Sequence, residues 1–171
     1  GVLFKGKGLD DLIQQLLLHV KKFTVDSDDL FNRGIRSPFF SMLYFVLKQS
    51  GAKDWWSGLK LSERHTGNAH AIQFHHIFPK SLLKDKYDKK EINEIANLAF
   101  VGGKTNRQIT NKEPINYLGK EVVEKRGDEA LTSQLIPLDK TMWEVNNYQE
   151  FLDYRRKAIA DAINNFMKKY E

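Results

Sequence analysis

Hydrophobic positions along most of the chain repeat at the spacing of an α-helix. In residues 9–23, LDDLIQQLLLHVKKF, the apolar residues follow this period between an acidic start and a basic end, which predicts a first helix. The stretch SPFFSMLYFVLKQSG predicts a second helix, with Ser37 as N-cap, Pro38 as first helical residue and Gly51 as the stop. Residues 148–170 keep their apolar side chains roughly on one side and predict a long final helix.

A short region in the middle of the chain departs from the helical period. AHAIQFHHIF predicts a strand, with Ile72 and Phe74 on one face and two adjacent histidines at its end. DKKEINEIA predicts a helix that begins with a capping box of Asp88 and Glu91. NLAFV predicts a second strand, and GGKT a turn into a helix capped by Thr105. The predicted fold class is therefore α+β and mostly helical, with a small strand–strand–helix core embedded in flanking helices.

The length of 171 residues favours a single domain over residues 1–171. Within it we expect a helical part over residues 1–69, the strand–strand–helix core over residues 70–112, and a second helical part over residues 113–171. The chain begins with glycine and shows no secretory leader, so we expect a fragment of a longer protein.

Composition excludes several classes of protein. The chain has no cysteine, which rules out disulfide scaffolds and cysteine-based zinc sites. Its apolar stretches are shorter than the roughly 18 residues that a membrane span needs, so we expect a soluble protein without a membrane partner. The absence of cysteine is compatible with the cytoplasmic location that we expect. Lys and Arg number 27 against 22 Asp and Glu. This modest excess favours a polyanionic partner but does not identify one.

The segment FHHIFPKS sets His75 beside His76 inside an apolar run. Each buried imidazole needs hydrogen-bond partners, so an adjacent pair suits a functional site better than a core. Asn97 opens the second predicted strand, and Asn106 follows nine positions later in the first turn of the next helix. Two strands and a helix in this order fold into a hairpin packed on a helix, which can bring these side chains to one point. Such a point could hold a metal ion and a phosphate.

The segments FHHIFP, NLAFV and KTNRQITNK, with this interval between the asparagines, resemble the HNH or His-Me finger nucleases. That resemblance implies a ββα-metal core. The surroundings, NLAFVGGKTNRQITNKEPINYL and FLDYRRKAIADAI, look more specifically like the HNH module at the carboxyl end of GmrSD-type, modification-dependent restriction proteins. The implied function is a metal-dependent DNA endonuclease, a phosphodiester hydrolase of restriction and phage defence. The implied partners are DNA and an N-terminal, nucleotide-hydrolysing sensing region.

The resemblance also implies a role for each residue. His76 would be the general base, and His75 and Asn106 the metal ligands. Asn97 would tie the hairpin loop together and hold His76, whose far ring nitrogen is expected to donate to a main-chain carbonyl near Phe100. The expected cofactor is one divalent ion, Mg²⁺ first, with Mn²⁺, Ni²⁺ or Zn²⁺ also compatible with imidazole.

Two residues depart from the usual pattern of these nucleases. His75 stands where the restriction branch more often has Asp or Glu, and Asn106 stands where many members have His. Asn111 is a second candidate ligand. Basic residues near the expected site are candidates for DNA contact, although a solvated basic face explains them equally well: Lys80, Lys104, Arg107 and Lys112.

These departures leave other functions open. One is a degenerate HNH fold that binds nucleic acid or protein without catalysis, and another is a helical docking domain with no nucleic-acid role. The isolated histidines favour core or surface positions over functional ones: His19, His65 and His70.

Overall fold

A computed structural model of the chain describes residues 23–61, 72–109 and 111–170. Most of the predicted first helix, over residues 9–22, lies outside the described residues, as do His19, His65 and His70. Within the described ranges, helices surround a two-stranded antiparallel sheet. The predicted α+β, mostly helical class is confirmed, while the division at residues 69 and 112 stays a prediction.

The structure contains two strands, a series of α-helices and several shorter helical turns in the described residues. The strands are β1 (Ile72–His76) and β2 (Leu98–Gly102). The α-helices are α1 (Pro38–Gln49), α2 (Lys80–Leu83), α3 (Lys89–Ile92), α4 (Gly103–Ile109), α5 (Pro114–Tyr117), α6 (Glu124–Arg126), α7 (Glu129–Thr132) and α8 (Tyr148–Met167). Shorter 3-10 helices occupy Ser27–Leu30, Ile95–Asn97, Lys140–Trp143 and Val145–Asn147, and the π-helix Leu118–Val123 joins α5 to α6.

The two long helices, α1 and α8, follow the sequence prediction closely. The Ser37 side chain accepts from the Phe39 N–H and Pro38 is the first helical residue, while Gly51, with φ +80°, follows the end of α1. The predicted apolar side of α8 is buried: Phe151, Leu152, Ile159, Ile163, Phe166 and Met167. In the part of the chain that the structure describes, no helix is long and apolar enough to cross a membrane.

Two predicted boundaries are wrong. The capping box of Asp88 and Glu91 forms, but its helix ends at Ile92 because the chain turns into the 3-10 helix that leads to β2. Thr105 is not an N-cap, because α4 already begins at Gly103. The Thr105 hydroxyl donates instead to Asp54, a contact between distant parts of the sequence.

The long helix α8 is joined to the start of β2 by a buried arginine. Arg155 is fully buried, and its guanidinium donates to the carbonyl oxygens of Ala96, Leu98, Gln134 and Leu135 at 2.6 to 3.2 Å. A buried charge is costly unless hydrogen bonds satisfy it. These carbonyls satisfy it and fix α8 against the segment that enters the sheet.

The junction of β2 and α4 is held by Asp54, which is 2 % exposed. Its carboxylate accepts from the Gly102 N–H at 2.6 Å, the Thr105 hydroxyl at 2.9 Å, and both the N–H and hydroxyl of Ser57 at 2.7 Å. Burial alone would raise the pKa of Asp54, but the donors from Gly102, Ser57 and Thr105 outweigh it and hold the pKa below its usual value. The ionised form therefore stabilises the fold.

We expect Asp54→Asn to lower the free energy of unfolding at pH 7 by about 3 kcal/mol, because an amide nitrogen cannot accept from these donors. The depressed pKa contributes stability above the unfolded value near 4, and this contribution is lost as the pH falls through the folded pKa. The difference in free energy of unfolding between Asp54→Asn and wild type should therefore become smaller at acidic pH.

Urea unfolding between pH 3 and 7 measures both effects. The matched control is Asp161→Asn, which changes an exposed aspartate of α8. Equal stability of Asp54→Asn and the control at pH 7 would contradict the assigned role of Asp54.

Candidate active site

The start of α4 meets the end of β1 through His75 and Asn106. His75 pairs with Ala99 in the sheet and is 6 % exposed. Its Nδ1 lies 2.8 Å from Asn106 Oδ1. The Nδ2 of Asn106 donates to Gln73 Oε1 at 3.0 Å, which turns the amide so that its oxygen faces His75. The structure therefore brings together the two residues that the sequence predicts as metal ligands.

The other side of the His75 ring faces aromatic side chains. Trp55 and Tyr117 contact it edge-on, with ring centroids 6.3 and 6.2 Å away. Its Nε2 is buried and has no hydrogen-bond partner among the described residues. Burial lowers the pKa of His75, and the bond to Asn106 only partly opposes this. The ring is therefore neutral at pH 7, the form in which imidazole binds metals.

His76, the next residue, has a different partner. Its Nε2 lies 3.1 Å from Asn93 Oδ1, and Asn93 Nδ2 donates to the carbonyl of Lys89 at 2.6 Å. This second bond orients the Asn93 amide, so His76 Nε2 carries the hydrogen and Nδ1 keeps its lone pair. The expected acceptor near Phe100 is wrong. Phe100 pairs with Phe74 in the sheet, and the His76 ring instead meets the connection between the strands.

The environment keeps His76 uncharged. These surroundings together lower the pKa of His76 to about 4: burial contributes most, the interactions with Lys80 and His75 act in the same direction, and the bond to Asn93 opposes them. A neutral ring at pH 7 can accept a proton at Nδ1.

Asn97 closes the connection between the two strands. It is fully buried, and its Oδ1 accepts from the Phe78 N–H at 2.8 Å. Its Nδ2 donates to the carbonyls of Phe78 and Ile92, both at 3.0 Å, and its own carbonyl accepts from the Ile77 N–H. These bonds are the loop tie expected of Asn97, although the residue ends a 3-10 helix rather than opening β2. The bonds of Asn97 reach Ile77 and Phe78, the two residues that follow His76.

Two depressions share His76 as part of their wall. The metal-side pocket, of about 340 Å³, contains His75, His76, Pro79, Lys80, Asn106 and Asn111. The basic cleft, of about 730 Å³, contains His76 and Asn93 with the cations Arg36, Lys80, Lys89 and Lys90. His76 therefore faces both the predicted ligands and a positively charged surface.

The predicted DNA-contacting residues differ in position. Lys80 is exposed and lines both depressions, whereas Lys104 and Arg107 are exposed on α4 and line neither. Lys112 forms an ion pair with Glu121, which partly compensates its charge. The contribution of each to DNA binding stays a prediction.

Sequence reasoning missed Asn93 and three cations of the basic cleft. Asn93 directly follows the short helix α3, and the sequence signal of that helix is the capping box at its other end. Lys89 and Lys90 lie in the single turn of α3, where their charges give no sign of a role near His76. Arg36 gives no such sign either, because only the fold brings it near His76.

A metal ion at this site would depend on few protein ligands. Within residues 23–61, 72–109 and 111–170, no group of three or more His, Cys, Asp or Glu side chains could hold a metal ion. The two predicted ligands would supply one imidazole nitrogen and one amide oxygen, and Asn111, the second candidate, lines the same pocket.

Comparison with known proteins identifies the family. No curated protein and no solved structure matches the chain significantly. The model of one family, described as GmrSD restriction endonucleases, C-terminal domain, matches residues 28–162, which is most of the chain. The match confirms the resemblance drawn from the sequence. The chain therefore belongs to the family of C-terminal domains of GmrSD restriction endonucleases.

Proposed function

We propose that the chain is a metal-dependent DNA endonuclease of the HNH type, the cleavage module of a restriction protein active in phage defence. The observation that carries the proposal is the 2.8 Å approach of His75 Nδ1 to Asn106 Oδ1 directly beside His76. The endonuclease family of the chain supports the same reading. In the full-length protein, an N-terminal nucleotide-hydrolysing region would select the DNA to be cut.

The residues present fit a single divalent ion. His75 Nδ1 donates to Asn106 Oδ1 in the structure, and an ion would take the place of that hydrogen when the ring proton moves to the unpartnered Nε2. Mg²⁺ suits the oxygen ligands and is the first candidate, with Mn²⁺, Ni²⁺ or Zn²⁺ as alternatives. When bound, the ion would stabilise charge that develops on the phosphate and on the leaving oxygen.

The protein supplies the base. His76 Nδ1 would take a proton from the attacking water, since Asn93 holds the ring hydrogen on Nε2. A DNA phosphate beside the ring would raise the pKa of His76, because an anion stabilises the imidazolium. Asn97 would keep His76 in place through the backbone of the next two residues.

The rival function, a degenerate HNH fold that binds without cleaving, makes the opposite prediction. It expects salt-sensitive DNA binding that is indifferent to EDTA, and no cleaved product in any metal.

We expect the chain to nick supercoiled plasmid in Mg²⁺ or Mn²⁺ and EDTA to stop the reaction. His76→Ala should lower the cleavage rate by about 10²- to 10⁴-fold, because it removes the general base. DNA affinity and melting temperature should stay close to wild type. Cleavage by a folded His76→Ala variant at the wild-type rate would rule out this role for His76.

We expect His75→Ala and Asn106→Ala each to weaken Mn²⁺ affinity by at least about tenfold, since loss even of a residue that only supports a ligand has an effect of that size. Isothermal titration calorimetry measures the affinity directly, without activity as the readout. Asn111→Ala is the matched comparison, because Asn111 lines the same pocket. A large loss in Asn111→Ala with none in Asn106→Ala would transfer the ligand role to Asn111.

We expect Asn93→Leu to lower kcat roughly tenfold or more with little change in KM, because the preferred tautomer of His76 is lost. Asn93→Asp keeps an acceptor and should retain most of the activity. Nitrogen-15 NMR of the histidine rings measures the tautomer, which a purely structural role would leave unchanged. A His76 ring with Nε2 still protonated in Asn93→Leu would contradict the account.

A further inference from the structure

Apart from His76 and Asn93, the residues of the basic cleft have no part in the proposed chemistry. Its cations come from separate parts of the chain: Arg36, Lys80, Lys89 and Lys90. Among the described residues, none of these cations forms an ion pair with a carboxylate. The residues that line the cleft in the described part of the chain include no Asp or Glu. Unpaired cations around one depression repel one another. An anionic ligand would remove this unfavourable repulsion.

The wall that carries Arg36 is fixed to the wall opposite. The N–H of Asn32 donates to the buried carboxylate of Glu94 at 2.9 Å, and the N–H of Ile95 donates to the carbonyl of Arg33 at 2.7 Å. Gly34 lies close to the backbone of Asn93, because a Cβ built on Gly34 would be 3.2 Å from the Asn93 carbonyl oxygen. The cleft is therefore a built feature of the fold rather than a gap between mobile side chains.

An apolar surface borders the cleft next to its cations. The Phe74 side chain is 39 % exposed and lines both the basic cleft and the metal-side pocket. Its ring meets the rings of Phe40 and His76 edge-on. The rim of the basic cleft therefore combines one exposed aromatic ring with the four cations.

We infer that the basic cleft binds backbone phosphates of the substrate DNA next to the phosphate that is cut, with Arg36, Lys89 and Lys90 as the contacting residues. Lys80, shared by the two depressions, would lie at the boundary between the cut phosphate and its neighbours. The inference rests on the proposed endonuclease function and extends the DNA path to the side of His76 that carries no predicted ligand.

The test measures binding of a fluorescent DNA duplex by anisotropy at several salt concentrations. The chain carries His76→Ala to prevent cleavage, alone or with Lys89→Gln and Lys90→Gln together. Each phosphate contact contributes roughly 0.9 to the slope of log affinity against log salt. We expect the double substitution to reduce that slope by about 2 and to raise Kd roughly tenfold or more.

The matched control is Lys168→Gln with Lys169→Gln, which removes the same charge from exposed lysines that line neither depression. Arg36→Gln tests the opposite wall independently and should lower the slope by about 1.

Slopes equal to that of the control in all cleft variants, with cleavage by the chain without His76→Ala intact, would overturn this inference and leave the proposed function standing. No DNA binding by the His76→Ala chain, together with no cleavage by the unsubstituted chain, would overturn both.

Discussion

The arrangement of the site depends on how residues 96–98 are held. Arg155 on α8 donates hydrogen bonds to the carbonyls of Ala96 and Leu98. The side chain of Asn97 bonds the same segment to Phe78. A buried guanidinium without partners would destabilise the fold by several kcal/mol. The carbonyls compensate the buried charge, and the guanidinium in turn fixes the carbonyls. The two sets of bonds fix where β2 begins and where the chain leaves β1. They therefore fix the position of His76.

The two-residue repeat of strand β1 places the side chains of His75 and His76 on different sides of the sheet. Consecutive strand residues point to opposite faces, so His75 meets Asn106 on α4 while His76 meets Asn93 in the connection. A shift of one residue in register would exchange their environments and destroy both contacts. Asp54 fixes the start of α4 from a third direction. The neutral state of both rings follows from burial in this frame.

Local patterns predicted the parts of the fold that depend on nearby residues. The caps of α1, the buried face of α8, both strands and the contact between His75 and Asn106 follow from sequence spacing or from the family resemblance. The hydrogen bonds from Thr105 to Asp54 and from His76 to Asn93 join residues distant in sequence. Nothing in the local pattern of either partner reports such a bond. The basic cleft is hidden for the same reason, since Arg36 and Lys89 become neighbours only after folding.

The proposed metal site requires that the hairpin and α4 bring His75 and Asn106 to one ion beside His76. The most direct measurement is the anomalous scattering of Mn²⁺ in crystals of the chain soaked with the ion. The account predicts a peak in contact with His75 Nδ1 and Asn106 Oδ1, next to the His76 ring. A peak only at surface carboxylates, with His75 and Asn106 still bonded to each other, would contradict it.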